Sequence, residues 1–89
     1  MQKSLAPLYK LTFLAKDKMI FEGDVSSLTA PGEMGYFQVL AHHAPIIALL
    51  KAGHLTFVDG YDQNHSYKIS GGVLEVSKDA ASLLVDSIV

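Results

Sequence analysis

Cysteine is absent from the 89 residues. Disulfides and thiol chemistry are therefore excluded, while the redox compartment stays unread. Arginine is absent as well, and no run of basic residues is longer than one. Nucleic-acid binders draw most of their affinity from clustered Lys and Arg on phosphates, so that class is excluded here. The bidentate guanidinium fork that grips phosphate is missing too. Uninterrupted apolar runs reach only four to five residues, against the roughly 20 that a membrane-spanning helix needs. The first ten residues, MQKSLAPLYK, lack the apolar centre of a signal peptide. The expectation is a protein made and kept inside a cell.

What remains is 49% hydrophobic and 18% charged, with a formal net charge of -2. That is a globular composition. The length is room for one domain over 1–89. A domain this small buries about 60–65% of the surface its unfolded chain exposes, so the core is thin and no large enclosed cavity is expected. The low charged fraction hints at a partner surface.

Periodicity points to strands. In LYKLTFLA, residues 8–15, Tyr9, Leu11 and Phe13 share one face while Lys10 and Thr12 share the other. A polar break at 15–18 precedes Met19–Glu22, which makes a hairpin. Gly23-Asp24 punctuates, and VSSLTA (25–30) is read as a further strand. Pro31-Gly32 is a turn dipeptide. YFQVL (36–40), HLTFVD (54–59), HSYKIS (65–70), VLEVS (73–77) and the run from Ala81 follow, with turns at 59–64 and 78–79. Residues 44–51 suit a helical turn or a buried strand equally. The fold class is all-β: about ten short strands in a flattened two-sheet β-sandwich or barrel. Gly71-Gly72 inside a strand region calls for a bulge or the close approach of another backbone.

Few residues speak for bond-breaking chemistry. His42 and His43 are adjacent, and neighbours on a strand face opposite sides. His54 and His65 stand apart without ligand-like spacing. The expectation is no metal, no cofactor and no catalytic residue. No GxSxG, HExxH or P-loop organises the Ser, His and Asp residues present. Neither glycine-rich stretch opens a helix, where phosphate would sit. His43-Ala44-Pro45 should form a rigid extended corner, because Pro45 restricts Ala44.

Two runs in order, PGEMGYFQVLAHHAPI and ISGGVLEV, with LLKAGHLTFVDG between them and LLVDSIV after, carry a family resemblance. From about Leu8 to Ile88 the chain resembles the epsilon subunit of the rotary F-type ATP synthase, in its N-terminal β-sandwich domain. The resemblance implies a non-catalytic central-stalk subunit that docks the gamma subunit onto the membrane ring of c subunits and couples proton flow to ATP synthesis. It implies a peripheral place on the cytoplasmic face of a bacterial inner membrane, reached only through the complex. The ring-facing loop is expected to hold Glu33, Met34, Gly35, Tyr36 and Gln38. His43, Ala44 and Pro45 match the family's gamma-facing corner, and Gly71 and Gly72 match a glycine pair beside that corner. His42 stands where other members often carry Gly or Asn.

Tyr36 replaces an acidic residue common in the family, and Gln38 replaces a glycine. Ring contact then falls to Glu33 or to Tyr36. Most bacterial members continue into two inhibitory helices, whereas this chain stops at Val89, so the expectation is a form that assembles and couples without braking hydrolysis. The rival reading is a small stand-alone β-barrel that binds a ligand, with Tyr36, His42 and Tyr61 at its mouth and a pocket of roughly 300–1,000 Å³.

Overall fold

The computed structural model describes residues 4–89 and forms eight strands, with no helix among those residues. They are β1 (Tyr9–Ala15), β2 (Lys18–Gly32), β3 (Gly35–Leu40), β4 (Ile46–Leu50), β5 (Gly53–Asp59), β6 (Asn64–Ile69), β7 (Gly72–Ser77) and β8 (Ala80–Val85). The all-β expectation holds. The count is lower than ten because Gly23-Asp24 does not interrupt the chain. β2 runs 15 residues through that point, with an irregularity between Val25 and Ser27 where it pairs with β5. The ambiguous stretch from Ala44 resolves as a strand, β4. Its Leu50 is buried while Ile47 and Leu49 point outward.

β2 belongs to both layers. Its first half pairs antiparallel with β1, Tyr9 opposite Val25 through Ala15 opposite Lys18. Its second half pairs with β3 on one side and β5 on the other. One layer is therefore β3-β2-β5-β6. The other runs from β2 through β1, β8 and β7 to β4, with β1 and β8 parallel and the remaining pairs antiparallel. The strand irregularity lets one long strand turn from one layer into the next, which is what bulges do in sandwiches.

Alternation sets the core. Tyr9, Leu11 and Phe13 are all buried, as their spacing predicts, and Lys10 is exposed. From the facing layer come Val25, Leu28, Leu55, Phe57 and Ile69, none more than 1% exposed. Phe13 joins the layers. Its ring meets Phe57 edge-on at 6.3 Å and Tyr67 at 5.2 Å, in the T-shaped geometry that aromatic quadrupoles favour. The Tyr9 hydroxyl donates to the Val39 carbonyl at 2.7 Å, which satisfies a buried donor and ties β1 to β3. Burial pushes the Tyr9 phenol well above its ordinary value, so it stays a donor.

Candidate functional site

The β2–β3 connection is a two-residue hairpin. Gly32 pairs with Gly35, and Glu33 and Met34 form the turn. The turn lies one step beyond the Pro31-Gly32 dipeptide, which ends β2 instead. Gly35 has φ of +127°, a value side chains rarely adopt, and it lets the two strands close over so short a loop. Met34 is fully exposed and Glu33 is exposed. The tip is braced from beneath. Glu33 N–H donates to Leu49 O at 3.2 Å and Lys51 N–H to Pro31 O at 2.9 Å. Tyr36 lies in β3, half exposed, and its hydroxyl accepts the His54 N–H at 3.1 Å. Gln38, two residues on, projects on the same exposed side of β3. Of the residues expected in a ring-facing loop, Glu33 and Met34 thus form the tip. Gly35, Tyr36 and Gln38 belong to the strand behind it.

His43, Ala44 and Pro45 connect β3 to β4 without regular structure. His43 N–H donates to Leu40 O at 3.2 Å, closing a turn whose third residue, His42, sits at φ +67°. The His43 ring donates through Nδ1 to the Ala44 carbonyl at 2.7 Å, which fixes the corner. The His42 ring points elsewhere, 3.6 Å from the Asp79 carboxylate in solvent. The two histidines border one surface groove, but their rings turn to different partners. Among the described residues no three His, Asp or Glu side chains come together to hold a metal.

The glycine pair is not beside this corner. Ile46 pairs with Val76 at one end of β4, and Leu50 pairs with Gly72 at the other. The four intervening steps span about 13 Å at strand rise. Gly72 lies instead near the Glu33 tip, in a groove shared with Leu49, Leu84 and Asp86, and Gly71 precedes it beside Asp86 and Leu50. The reason for the pair is close approach. A Cβ on Gly72 would fall on the Leu84 carbonyl oxygen and 2.8 Å from Val85 Cα, both backbone.

Strand register builds a feature that single-strand periodicity could not display. Leu49 opposes Val73, Val73 opposes Leu84, Leu84 opposes Leu14, and Leu14 opposes Met19. All five face away from the core, so an apolar row crosses the outer side of the layer from β4 to β2. Leu49 is 59% exposed, Met19 49% and Leu84 46%. The next row over is Ile47, Glu75, Ser82, Thr12 and Glu22, polar apart from Ile47.

A second constellation escaped the sequence. His65 lies flat on Phe57, centroids 4.6 Å apart and 8° from parallel, with Phe21 at 5.3 Å. Its Nε2 carries the proton, because the partner is a carboxylate: Asp59 Oδ2 at 2.8 Å. Asp59 Oδ1 also accepts the N–H groups of Tyr61 at 2.8 Å and Gln63 at 3.0 Å. Burial pushes the Asp59 carboxyl up, but the bonds from His65, Gln63 and Tyr61 and the charge on His65 outweigh it together and hold the group below its ordinary value. The spacing of six residues resembles no motif. The signal was an Asp opening the turn cluster and a His closing it.

A ligand mouth does not form. Tyr36, His42 and Tyr61 line three separate surface grooves, and the space between the layers is filled by the core side chains. The groove at the tip has about 390 Å³ and opens along Met34, Tyr36 and Leu49 on the surface.

Comparison with known proteins agrees with this architecture. Residues 8–89 match the family model described as ATP synthase, Delta/Epsilon chain, beta-sandwich domain. The ATP synthase epsilon chain of Protochlamydia amoebophila is 44% identical over 81 residues, covering 91% of this chain and 55% of the relative. That of Chlorobium limicola is 38% identical over 80 residues, covering 90% and 91%. This chain thus spans about half the length of the first relative and most of the second. A chain in the Euglena gracilis mitochondrial ATP synthase assembly of OSCP, F1 and c-ring shares the fold at TM-score 0.86 and 24% identity, covering 100% of this chain and 60% of that one. The eight strands, the shared β2 and the family match lead to one assignment: the chain belongs to the ATP synthase delta/epsilon family, as the β-sandwich domain of a non-catalytic epsilon-type subunit.

Proposed function

We propose that this domain docks a gamma-type subunit onto a ring of c subunits and passes torque between them, coupling proton translocation to ATP synthesis at the cytoplasmic face of a bacterial inner membrane. The observation that carries the reading is mechanical. A rigid two-layer sandwich holds a fully exposed Met34 and an exposed Glu33 on a two-residue turn, and that turn is hydrogen-bonded to β4. A tip on so short a turn cannot swing, so a load applied there reaches the core strands. Glu33 and Met34 take the ring contact in this reading. Tyr36 is engaged with His54 N–H and supports the tip from behind.

The gamma-facing assignment of His43, Ala44 and Pro45, and of Gly71 and Gly72, keeps a geometric sense despite their separation. The two groups stand at opposite ends of β4, and the outward apolar row crosses that strand between them at Leu49. Chains of the same fold sit in a Euglena gracilis assembly of OSCP, F1 and c-ring and in a Tetrahymena thermophila assembly of central stalk and c-ring, which supports the same reading.

Cysteine cross-linking tests it, since the chain has no cysteine of its own. In the assembled synthase, Met34→Cys should trap a c subunit and His43→Cys should trap gamma. Products exchanged between the two positions, or a ring product from neither Met34→Cys nor Glu33→Cys, would refute the arrangement.

A further inference from the structure

The apolar row is not uniformly bordered. At its β4 end, Leu49, Val73 and Leu84 form one patch, and carboxylates stand on both sides of it. Glu33 and Asp86 share a groove with these three residues on the tip side. Glu75 stands in the neighbouring row on the other side, next to Ile47. All three carboxylates are exposed. At the β2 end the border is mixed, with Lys16 and Lys18 beside Asp17 in the β1–β2 hairpin and Glu22 in the neighbouring row. Exposed apolar side chains rimmed by polar and charged residues mark protein contact sites. The collar then selects the partner, because a like charge brought against it costs far more than a surface pair gains.

We propose that Leu49, Val73 and Leu84 seat an apolar side chain of a protein partner whose flanking residues are Lys or Arg reaching Glu33, Asp86 and Glu75. The partner's basic residues gather at the β4 end, because the charge at the β2 end is mixed. The proposal rests on the gamma-docking reading above and adds the chemistry of the contact. The apolar patch supplies affinity. The collar supplies encounter rate and orientation, so binding weakens with salt.

The experiment measures the affinity of the purified chain for the gamma subunit of the same synthase at low and moderate salt. Leu84→Ser, Glu75→Lys and Asp86→Lys are compared with Asp62→Lys, which makes the same charge change in the distant β5–β6 turn. Asp62 sits at φ +61°, and Lys16 already tolerates φ +51°. All four positions are exposed, and a thermal melt confirms that each variant folds.

The proposal expects Leu84→Ser and each collar reversal to weaken binding about tenfold or more, with the reversals losing their effect as salt rises, while Asp62→Lys binds as wild type. Collar reversals that match Asp62→Lys would overturn the collar and leave apolar docking standing. Wild-type affinity in all variants would overturn the face while leaving gamma docking intact. Failure of the wild-type chain to bind gamma at all would overturn both.

Discussion

At the scale of single residues, backbone angle decides more than side-chain chemistry. His42 looked like half of a histidine pair, yet its ring reaches only an exposed Asp79 at 3.6 Å, an arrangement worth little in solvent. What the position requires is φ near +67°. A side chain with a Cβ meets the following carbonyl there at a cost of roughly 1–2 kcal/mol, whereas glycine pays only its larger unfolded-state entropy, about 0.4–1 kcal/mol. His42→Gly should therefore stabilise the domain by on the order of 0.5–1 kcal/mol, a rise of roughly 3–6 °C in melting temperature for a chain of this size. Calorimetry of the two proteins checks this. His42→Ala, which keeps the Cβ, should give no such gain, and equal melting of all three would show that the turn carries no strain.

At the scale of elements, the β5–β6 turn is held by a carboxylate. Asp59 gathers two N–H groups and the His65 ring. The carboxyl titrates lower in the folded chain than in the unfolded one, so its contribution is complete above the unfolded value of about 3.9. It is lost as pH falls through the depressed folded value. Asp59→Asn should be less stable than wild type at pH 7, and the gap in urea midpoint should narrow steadily between pH 4.5 and pH 2.5. A gap that stays constant with pH would show that the ionised form contributes nothing.

The same scale shows what was legible beforehand. Strand identity was, because Tyr9, Leu11 and Phe13 alternate with polar neighbours and burial follows that alternation. The length of β2 was not, because Gly23-Asp24 has the composition of a turn, while pairing with β1 on that stretch carries the strand straight through it. The candidate tip was legible from Glu33 and Met34, but the place of Gly71 and Gly72 was not. Register, which a local pattern does not contain, sets them opposite Leu50 at the far end of β4 from Pro45. The apolar row was hidden for the same reason. Its five residues come from five strands.

At the scale of the whole molecule, the two layers are one mechanical body only if the space between them is full. Phe13 is fully buried and touches both Phe57 and Tyr67 across the gap, while β2 ties the layers covalently. A domain of this length has a total stability of roughly 5–13 kcal/mol. Removing a buried Phe to Ala costs about 3–5 kcal/mol, so Phe13→Ala should forfeit about a quarter of that or more, whereas Phe13→Leu, which leaves a smaller void, should cost less. Urea unfolding followed by far-ultraviolet circular dichroism and by tyrosine fluorescence should give coincident single transitions for wild type and for Phe13→Leu. Their midpoint should shift and their slope should not. Two separated transitions would mean that the layers melt independently. A body that comes apart in two steps under denaturant would also yield between its layers under torque, so the cooperativity of unfolding tests the stiffness that the proposed coupling role requires.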